Sequence, residues 1–593
     1  MMSFQMVFVL VMIVLMLLGL LFEVGRPDVV VFSVLVIFLI TGILTPDEAL
    51  KGFSNEGMIT IALLFIVAGA IQKYGLIDQG MTRWLKKSRS RMGSMLRFFI
   101  PTALMSAFLN NTPIVVTFTP IIKKWCEDRG IAPSKFLIPL SYVTILGGTM
   151  TLMGTSTNLV VQGLLLDNGI KSFNLFTLTP VGVVVAVVGL LFIFLIGIKL
   201  LPEHKGFEQK VREDSREYLA EMRVDDSFPY VNQSIDAAGL RKLKGLYLIE
   251  IIRGEERLSP VRSSTIIQAG DRLIFTGLIS TIVDLQSVKG LTLETGTHLE
   301  LDDLKKGSSL LVEAVVSHNS SLLSKTIKKA RFRSNFDAGV IAVHRNNERI
   351  KSKVGDISLK AGDTLLLLAG SDFIRKYQES SDFYVVSSID TPDRLNRDLK
   401  KGLLSIGILV VMIALVTLGF LSMFKAMALA TFLLLATRLI TPVDAKKYIQ
   451  FDVLLLIASS FGVGSAMTTT GLAKWLADGL IAIGQPMGLF VILIMVYLLT
   501  NIFTELITNS AAAVLMIPIG LQMADTLHVS PLGFAVLIAI GASASFITPI
   551  GYQTNLIVYG PGGYRFKDYV KIGVPLSLVI MMTTVVMVYW IYF

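Results

Sequence analysis

The chain carries long apolar runs broken by short polar interruptions in its first and last thirds, and loses that pattern in the middle. Mostly apolar runs recur at Met6–Phe22, Val181–Leu200, Leu403–Phe420 and Val570–Tyr592. They are long enough to span a hydrocarbon core of roughly 30 Å. The pattern predicts five crossings before the middle, at 6–23, 28–42, 55–73, 132–165 and 175–200. Five more follow, at 401–419, 421–438, 450–468, 531–556 and 570–592. The fourth crossing of each set is interrupted by Gly, Thr and Asn, which are poor helix formers. Segments 91–121 and 488–519 read as re-entrant hairpins around a polar tip. Their arms of about 10–16 residues fall short of the ~20 a span needs; the alternative is two full short helices in each, which adds two crossings per half and preserves the parity.

The outer thirds repeat one another. TPDEALKGFSNEGMITIALLFIVAGAIQKYGL (Thr45–Leu76) lines up with TPVDAKKYIQFDVLLLIASSFGVGSAMTTTGL (Thr441–Leu472), and LNNTPIVVTFTPI (Leu109–Ile121) with ITNSAAAVLMIPI (Ile507–Ile519). TLMGTSTNL at Thr151 matches TPIGYQTNL at Thr548. Three matches in one order at nearly constant spacing mark an internal repeat, and an odd number of crossings per half makes the two copies inverted.

The middle, from Pro202 to Leu403, is rich in Lys, Arg, Glu, Asp and Ser and is itself repeated. IIQAGDRLIFTG (Ile266–Gly277) and ISLKAGDTLLLLAG (Ile357–Gly370) place two Gly-Asp turns before short apolar strands, after the basic, alternating segments LIEIIRGEERL and GVIAVHRNNERI. The expected fold class is a polytopic all-α membrane protein of two inverted repeats of five spans, each with a re-entrant hairpin and a broken helix. A strand-rich α/β insert of two similar domains joins them. The expected boundaries are 1–200, 205–295, 296–390 and 400–593.

Composition agrees. The chain is 53% hydrophobic and 17% charged, against about a quarter charged in soluble domains. The formal charge of +10 calls for no nucleic-acid partner, because Lys and Arg gather on the cytoplasmic flanks of spans. The basic stretches Arg83–Arg91, Lys123–Lys124, Lys446–Lys447 and Arg565–Lys571 share a side with the insert. The insert is thus expected in the cytoplasm, both termini outside, in the plasma (inner) membrane. The first apolar run lacks a basic leader and reads as a retained helix. A single cysteine, Cys126, excludes an internal disulfide and a Cys-clustered metal site. Phosphate-loop, His-Glu-x-x-His and nucleophile-elbow motifs are missing from the sequence, so enzymatic chemistry is not expected.

Non-helical backbone survives in a membrane only where it lines an enclosed cavity. Two broken helices and two tips can converge on one. Asn110, Asn111 and Thr112 form the first tip, and Thr508, Asn509 and Ser510 the second. Gly154 and Asn158 lie in the first break, Gly551 and Asn555 in the second. Amide and hydroxyl oxygens with freed carbonyls are hard donors suited to Na⁺, while exposed helix N-termini favour an anion. Na⁺ is assigned to Asn110, Asn111, Gly154, Asn158, Thr508, Asn509, Gly551 and Asn555. The anion is assigned to the two tips with Thr155 and Thr554. The competing reading is plain helix packing through small and hydroxylated residues; Thr155, Ser156, Thr157, Gln553 and Thr554 could equally cap the broken ends. Glu505 lies four residues before Asn509 and has no counterpart acid in the first hairpin. It is either a proton or cation relay or a structural acceptor for backbone amides.

These tips and loops resemble those of the divalent anion/Na⁺ symporter family of dicarboxylate and sulfate carriers, with its Ser-Asn-Thr tips and Thr-Pro-x-Gly loops. Thr548-Pro549-Ile550-Gly551 follows the pattern; Leu152 replaces proline in the first loop, and both tips depart in their hydroxyl residues. The resemblance implies two Na⁺ sites beside a small divalent anion, with sulfate favoured. It also implies a homodimer and an elevator mechanism. A dicarboxylate symporter, a proton-coupled or exporting oxyanion carrier and a gated channel are the alternatives. The insert resembles the C-terminal domains of potassium-transporter gating subunits. That implies either a regulatory site for a nucleotide-type ligand or a dimerisation platform.

Overall fold

The computed structural model describes residues 3–22, 24–74, 91–170, 173–204, 219–240, 246–254, 256–258, 261–262, 264–277, 289–293, 309–318, 320–345, 348–350, 354–370, 372–377, 380, 382–388 and 399–593. Most of the basic stretch Arg83–Arg91 and the expected boundaries of the insert lie outside them.

The first half folds as helices Phe4–Leu21, Pro27–Ile40 and Glu56–Gln72, a hairpin of Arg91–Ser106 and Asn111–Glu127, a broken helix of Leu137–Gly148 and Ser156–Asp167, and a last helix from Thr179. The second half repeats the order. Leu399–Thr417, Met423–Ala436 and Phe451–Thr469 lead to a hairpin of Leu489–Leu506 and Asn509–Leu527, a broken helix of Pro531–Ser543 and Gln553–Tyr559, and Phe566–Tyr592. Among the described residues, seven helices are long and apolar enough to cross a membrane. Bulky apolar side chains such as Leu195, Phe432 and Trp590 face outward, as in a body solvated by lipid.

The polar punctuation explains the element starts. Thr45 and Thr441 each form a capping box, with Glu48 and Asp444 respectively, and each starts a short helix ahead of the third span. Asn55 accepts from the amides of Gly57 and Met58 and so begins Glu56–Gln72.

Three features differ from the expectation. The hairpin arms run 16 to 19 residues, the return arms continuing past the expected ends to Glu127 and Leu527, and both arms of the second are long and apolar enough to cross a membrane. The helix from Thr179 passes through a π turn at Ile193–Gly197. An added helix, Leu472–Gly484, precedes the second hairpin.

Among the described residues, the insert holds two antiparallel five-stranded sheets. The first comprises β1 (Leu219–Val224), β2 (Leu246–Arg253), β3 (Glu256–Leu258), β4 (Arg272–Gly277) and β5 (Leu291–Leu293), in the order β3-β2-β4-β1-β5. The second comprises β6 (Ser309–Val316), β7 (Ala338–Arg345), β8 (Glu348–Arg349), β9 (Thr364–Gly370) and β10 (Phe383–Ser388), in the order β10-β6-β9-β7-β8. The Gly-Asp turns act alike in both. Gly270 and Gly362 adopt φ of 83° and 81°, which glycine takes without steric cost. The following Asp271 and Asp363 are fully buried and bind Arg253 and Arg345 through both carboxylate oxygens. A buried carboxylate is tolerated because it is paired in this way. In return each carboxylate holds its arginine's pKa above the ordinary value.

Candidate functional site

Each tip asparagine is seated by the same construction. Asn111 lies beside Ser106, whose hydroxyl is 2.8 Å from the carbonyl of Thr144. Asn509 lies 2.9 Å from the hydroxyl of Thr504, which donates to the carbonyl of Ala542 at 2.5 Å. Each tip is thereby tied to the outgoing half of its own broken helix. The Asn111 amide satisfies its surroundings with Nδ2 donating to Thr144 O (3.0 Å) and Gly154 O (3.3 Å), and Oδ1 accepting from the Tyr552 hydroxyl (2.6 Å).

Each break is braced by an asparagine from the helix that follows it. Asn158 Nδ2 donates to the carbonyls of Gly148 and Thr151 at 3.2 and 2.8 Å. Asn555 Nδ2 donates to those of Ser545 and Thr548 at 3.0 and 3.1 Å. These are carbonyls that the interruption of the helix leaves without their usual partners. The two amides differ at the other end. Asn555 Oδ1 accepts from Ser141 at 2.7 Å, whereas Asn158 Oδ1 is buried with no hydrogen-bond partner among the described residues. A buried oxygen left open is costly unless something polar meets it, and this one is a hard donor.

The glycines make room. A Cβ on Gly154 would lie 2.4 Å from Gly148 O, and one on Gly551 would lie 2.3 Å from Ser545 Oγ. Glu505 proves to be a backbone acceptor. Its Oε1 takes the amides of Phe546 and Ile547 at 2.8 Å each, and its Oε2 that of Thr548 at 2.9 Å. The second break opens earlier, after Ser543, while the first helix runs on to Gly148. There the amides of Thr149 and Met150 bond back to Leu146 and Gly147, so no carboxylate is needed.

The two halves meet across the breaks. Tyr552 bonds Asn111 and lies 3.2 Å from Thr155 Oγ1. Thr112 donates to Gln553 at 3.1 Å, and Ser141 lies 2.9 Å from Thr554 Oγ1. Three helix N-termini, at Asn111, Ser156 and Gln553, therefore open onto one another. Thr508 caps its own helix by accepting from Ala511, and Ser510 is buried. Asn110 makes no cap bond. Thr155 makes none either, so it faces the site rather than closing its helix. The residues that went unrecognised are Tyr552, Ser106, Thr504 and Ser141. Ser106 and Thr504 stand at the same separation as the two tips, and that signal could have found them.

The first tip and the two broken helices meet at one polar centre inside an apolar helical body, with the second tip held to its own hairpin, an arrangement suited to a membrane carrier. The chain belongs to the citrate transporter family, whose profile matches residues 8–539 and 506–593. It is 36% identical over 566 residues to a protein of Chlamydomonas reinhardtii described as a sulfur deprivation response regulator, covering 94% of this chain and 97% of that one. It is 32% identical over 577 residues to an uncharacterized transporter of Synechocystis, covering 95% and 94%. It is 26% identical over 766 residues to sodium/sulfate cotransporter 1 of Chlamydomonas reinhardtii, covering 94% and 86%.

Proposed function

We propose that this transporter is a Na⁺-coupled symporter of a divalent anion, with sulfate favoured. The observation that carries the reading is the pairing of unlike groups at the first break. Asn158 Oδ1 is an open, buried oxygen suited to a cation, and the converging N-termini beside Asn111 and Thr155 suit an anion. Neutral donors bind the anion without adding a fixed charge that must be desolvated. Na⁺ and the anion held side by side would offset each other's field. The relatives named as sodium/sulfate cotransporters support this choice of cargo, and the family's name makes citrate the comparison to run beside it.

In this reading Na⁺ is held by Asn158 with the carbonyls and tip amides around it, and more weakly by the second break, where Ser141 already occupies Asn555. The hairpins and broken helices move together against the remaining helices, in a homodimer with the insert in the cytoplasm. The insert divides near residue 296 into two like units. Glu505 acts as the backbone acceptor, which weighs against a proton relay. The test is the thermal stability of the purified protein in NaCl and in KCl, with sulfate, succinate or citrate added. A ligand bound only by the folded protein raises its stability by mass action. Stabilisation by sulfate that requires Na⁺ supports the reading, and stabilisation by citrate alone would replace the cargo.

A further inference from the structure

The second sheet of the insert reaches the site. Where β6 ends, His318 Nε2 lies 3.0 Å from Nε2 of Gln553, whose Oε1 accepts from Thr112. With the Gln553 oxygen engaged, its Nε2–H is the donor, so the imidazole Nε2 accepts. Nδ1–H is left to donate to the Tyr384 hydroxyl on β10. The His318 and Tyr384 rings stack, with centroids 5.6 Å apart and planes 28° apart.

Two further contacts fasten the same sheet to the same moving parts. Lys123, on the return arm of the first hairpin, forms an ion pair with Glu313 of β6, the side chains being 8% and 2% exposed. Removing one partner of a buried pair strands the other charge. The backbones also fit without room for a side chain. A Cβ on Gly560 would lie 3.2 Å from Thr364 Cβ, and one on Gly362 would lie 2.6 Å from Leu556 Cδ1. Val315 and Tyr384 belong to the apolar core of the helical body, whereas most of the sheet's interior forms a core of its own.

We propose that the second sheet of the insert is a lock, whose His318 turn and β6–β10 edge dock on the first hairpin and the second broken helix and close the site on the insert's side. It rests on the carrier reading for which elements move. His318 covers Gln553 and Thr112 from the insert's side, so the site opens there only when the sheet undocks, and whatever weakens docking opens the site.

The test uses the full-length protein with Cys126→Ser and a single reporter, Thr112→Cys, in membranes exposing the insert side to an impermeant maleimide. His318→Ala and Glu313→Lys are each expected to raise the labelling rate about tenfold or more, as the closed population gives way. The charge swap Lys123→Glu with Glu313→Lys is expected to bring it back toward the parent rate. Unchanged labelling in both single variants would overturn the lock. A rise that the swap does not reverse would overturn it as well, since it would mark general loosening rather than undocking. The reporter is a thiol rather than a cargo. These rates in a protein that binds no sulfate would keep the lock and retire the cargo.

Discussion

The hydroxyls of Thr155 and Tyr552 lie 3.2 Å apart, although the two residues stand 397 positions apart in the chain. They are equivalent positions of the two repeats, the first residue before each inner half-helix. The two repeats therefore meet at the polar centre through matching chain positions. Tyr552→Phe keeps the ring but leaves Asn111 and Thr155 without the hydroxyl. The expected cost is about 1–3 kcal/mol of stability, read by thermal unfolding, and an unchanged melting temperature would contradict it.

The two bracing asparagines separate structure from ion binding. Asn158→Ala and Asn555→Ala each lose two hydrogen bonds to break carbonyls, so both are expected to be less stable in KCl. Only Asn158→Ala also removes an open oxygen. It should abolish the extra stabilisation that NaCl gives over KCl, while Asn555→Ala retains most of it. Equal losses in the two variants would mean that the open oxygen is not where Na⁺ binds.

Glycine replacements rank by what the new methyl meets. Gly154→Ala drives a Cβ against the backbone oxygen of Gly148, and Gly551→Ala against the Ser545 hydroxyl. A side chain can rotate aside and a backbone cannot. Gly154→Ala is expected to cost about 1–3 kcal/mol, the ordinary range for overpacking, and Gly551→Ala less. Thermal unfolding of the pair gives the order directly.

Glu505→Gln discriminates the relay from the brace. A glutamine amide would set an N–H₂ against one of the three backbone amides the carboxylate now satisfies. Lower stability by about 1–3 kcal/mol with the same pH dependence of uptake is expected. Loss of a pH dependence seen in the parent would instead assign Glu505 to proton movement.

Docking of the insert should weaken in acid. Burial, and secondarily Arg26, hold the docked His318 down to about 4, against about 6.5 for a free imidazole. Tyr384 faces it from β10, with Asp452 near that hydroxyl, and Asp28 pairs with Arg26. The Gln553 amide can turn over to serve either ring form, so burial sets the sign. Undocking takes up a proton; docking keeps its full strength above about 6.5 and loses it as pH falls toward 4. Spin labels at Lys328→Cys and Lys446→Cys in the Cys126→Ser protein should show a second, longer distance as pH falls from about 7.5 to about 5. A single distance throughout would contradict this.

The spans, hairpins and breaks were legible because apolar length and polar interruption report directly on what a membrane allows. The paired tips and breaks were legible because they are written twice. Ser141 looks like any packing hydroxyl until its partner amide is in view, and Ser106 and Thr504 are marked in the sequence only by sharing the separation of the tips. Tyr552 reads as one more aromatic in an apolar run. The docking of His318 on Gln553 joins positions 235 apart, and no local pattern encodes it. Glu505 carried two meanings in the sequence; the three backbone amides it accepts are seen only with the earlier opening of the second break in view, and Glu505→Gln decides between them.

The central claim is tested most directly by radiolabelled sulfate uptake into proteoliposomes with and without an inward Na⁺ gradient, beside citrate and succinate. The account predicts sulfate accumulation that needs the gradient and is lost in Asn111→Ala and Asn158→Ala. Sulfate accumulation indifferent to Na⁺, or none of it under a gradient that drives citrate or succinate, would contradict it.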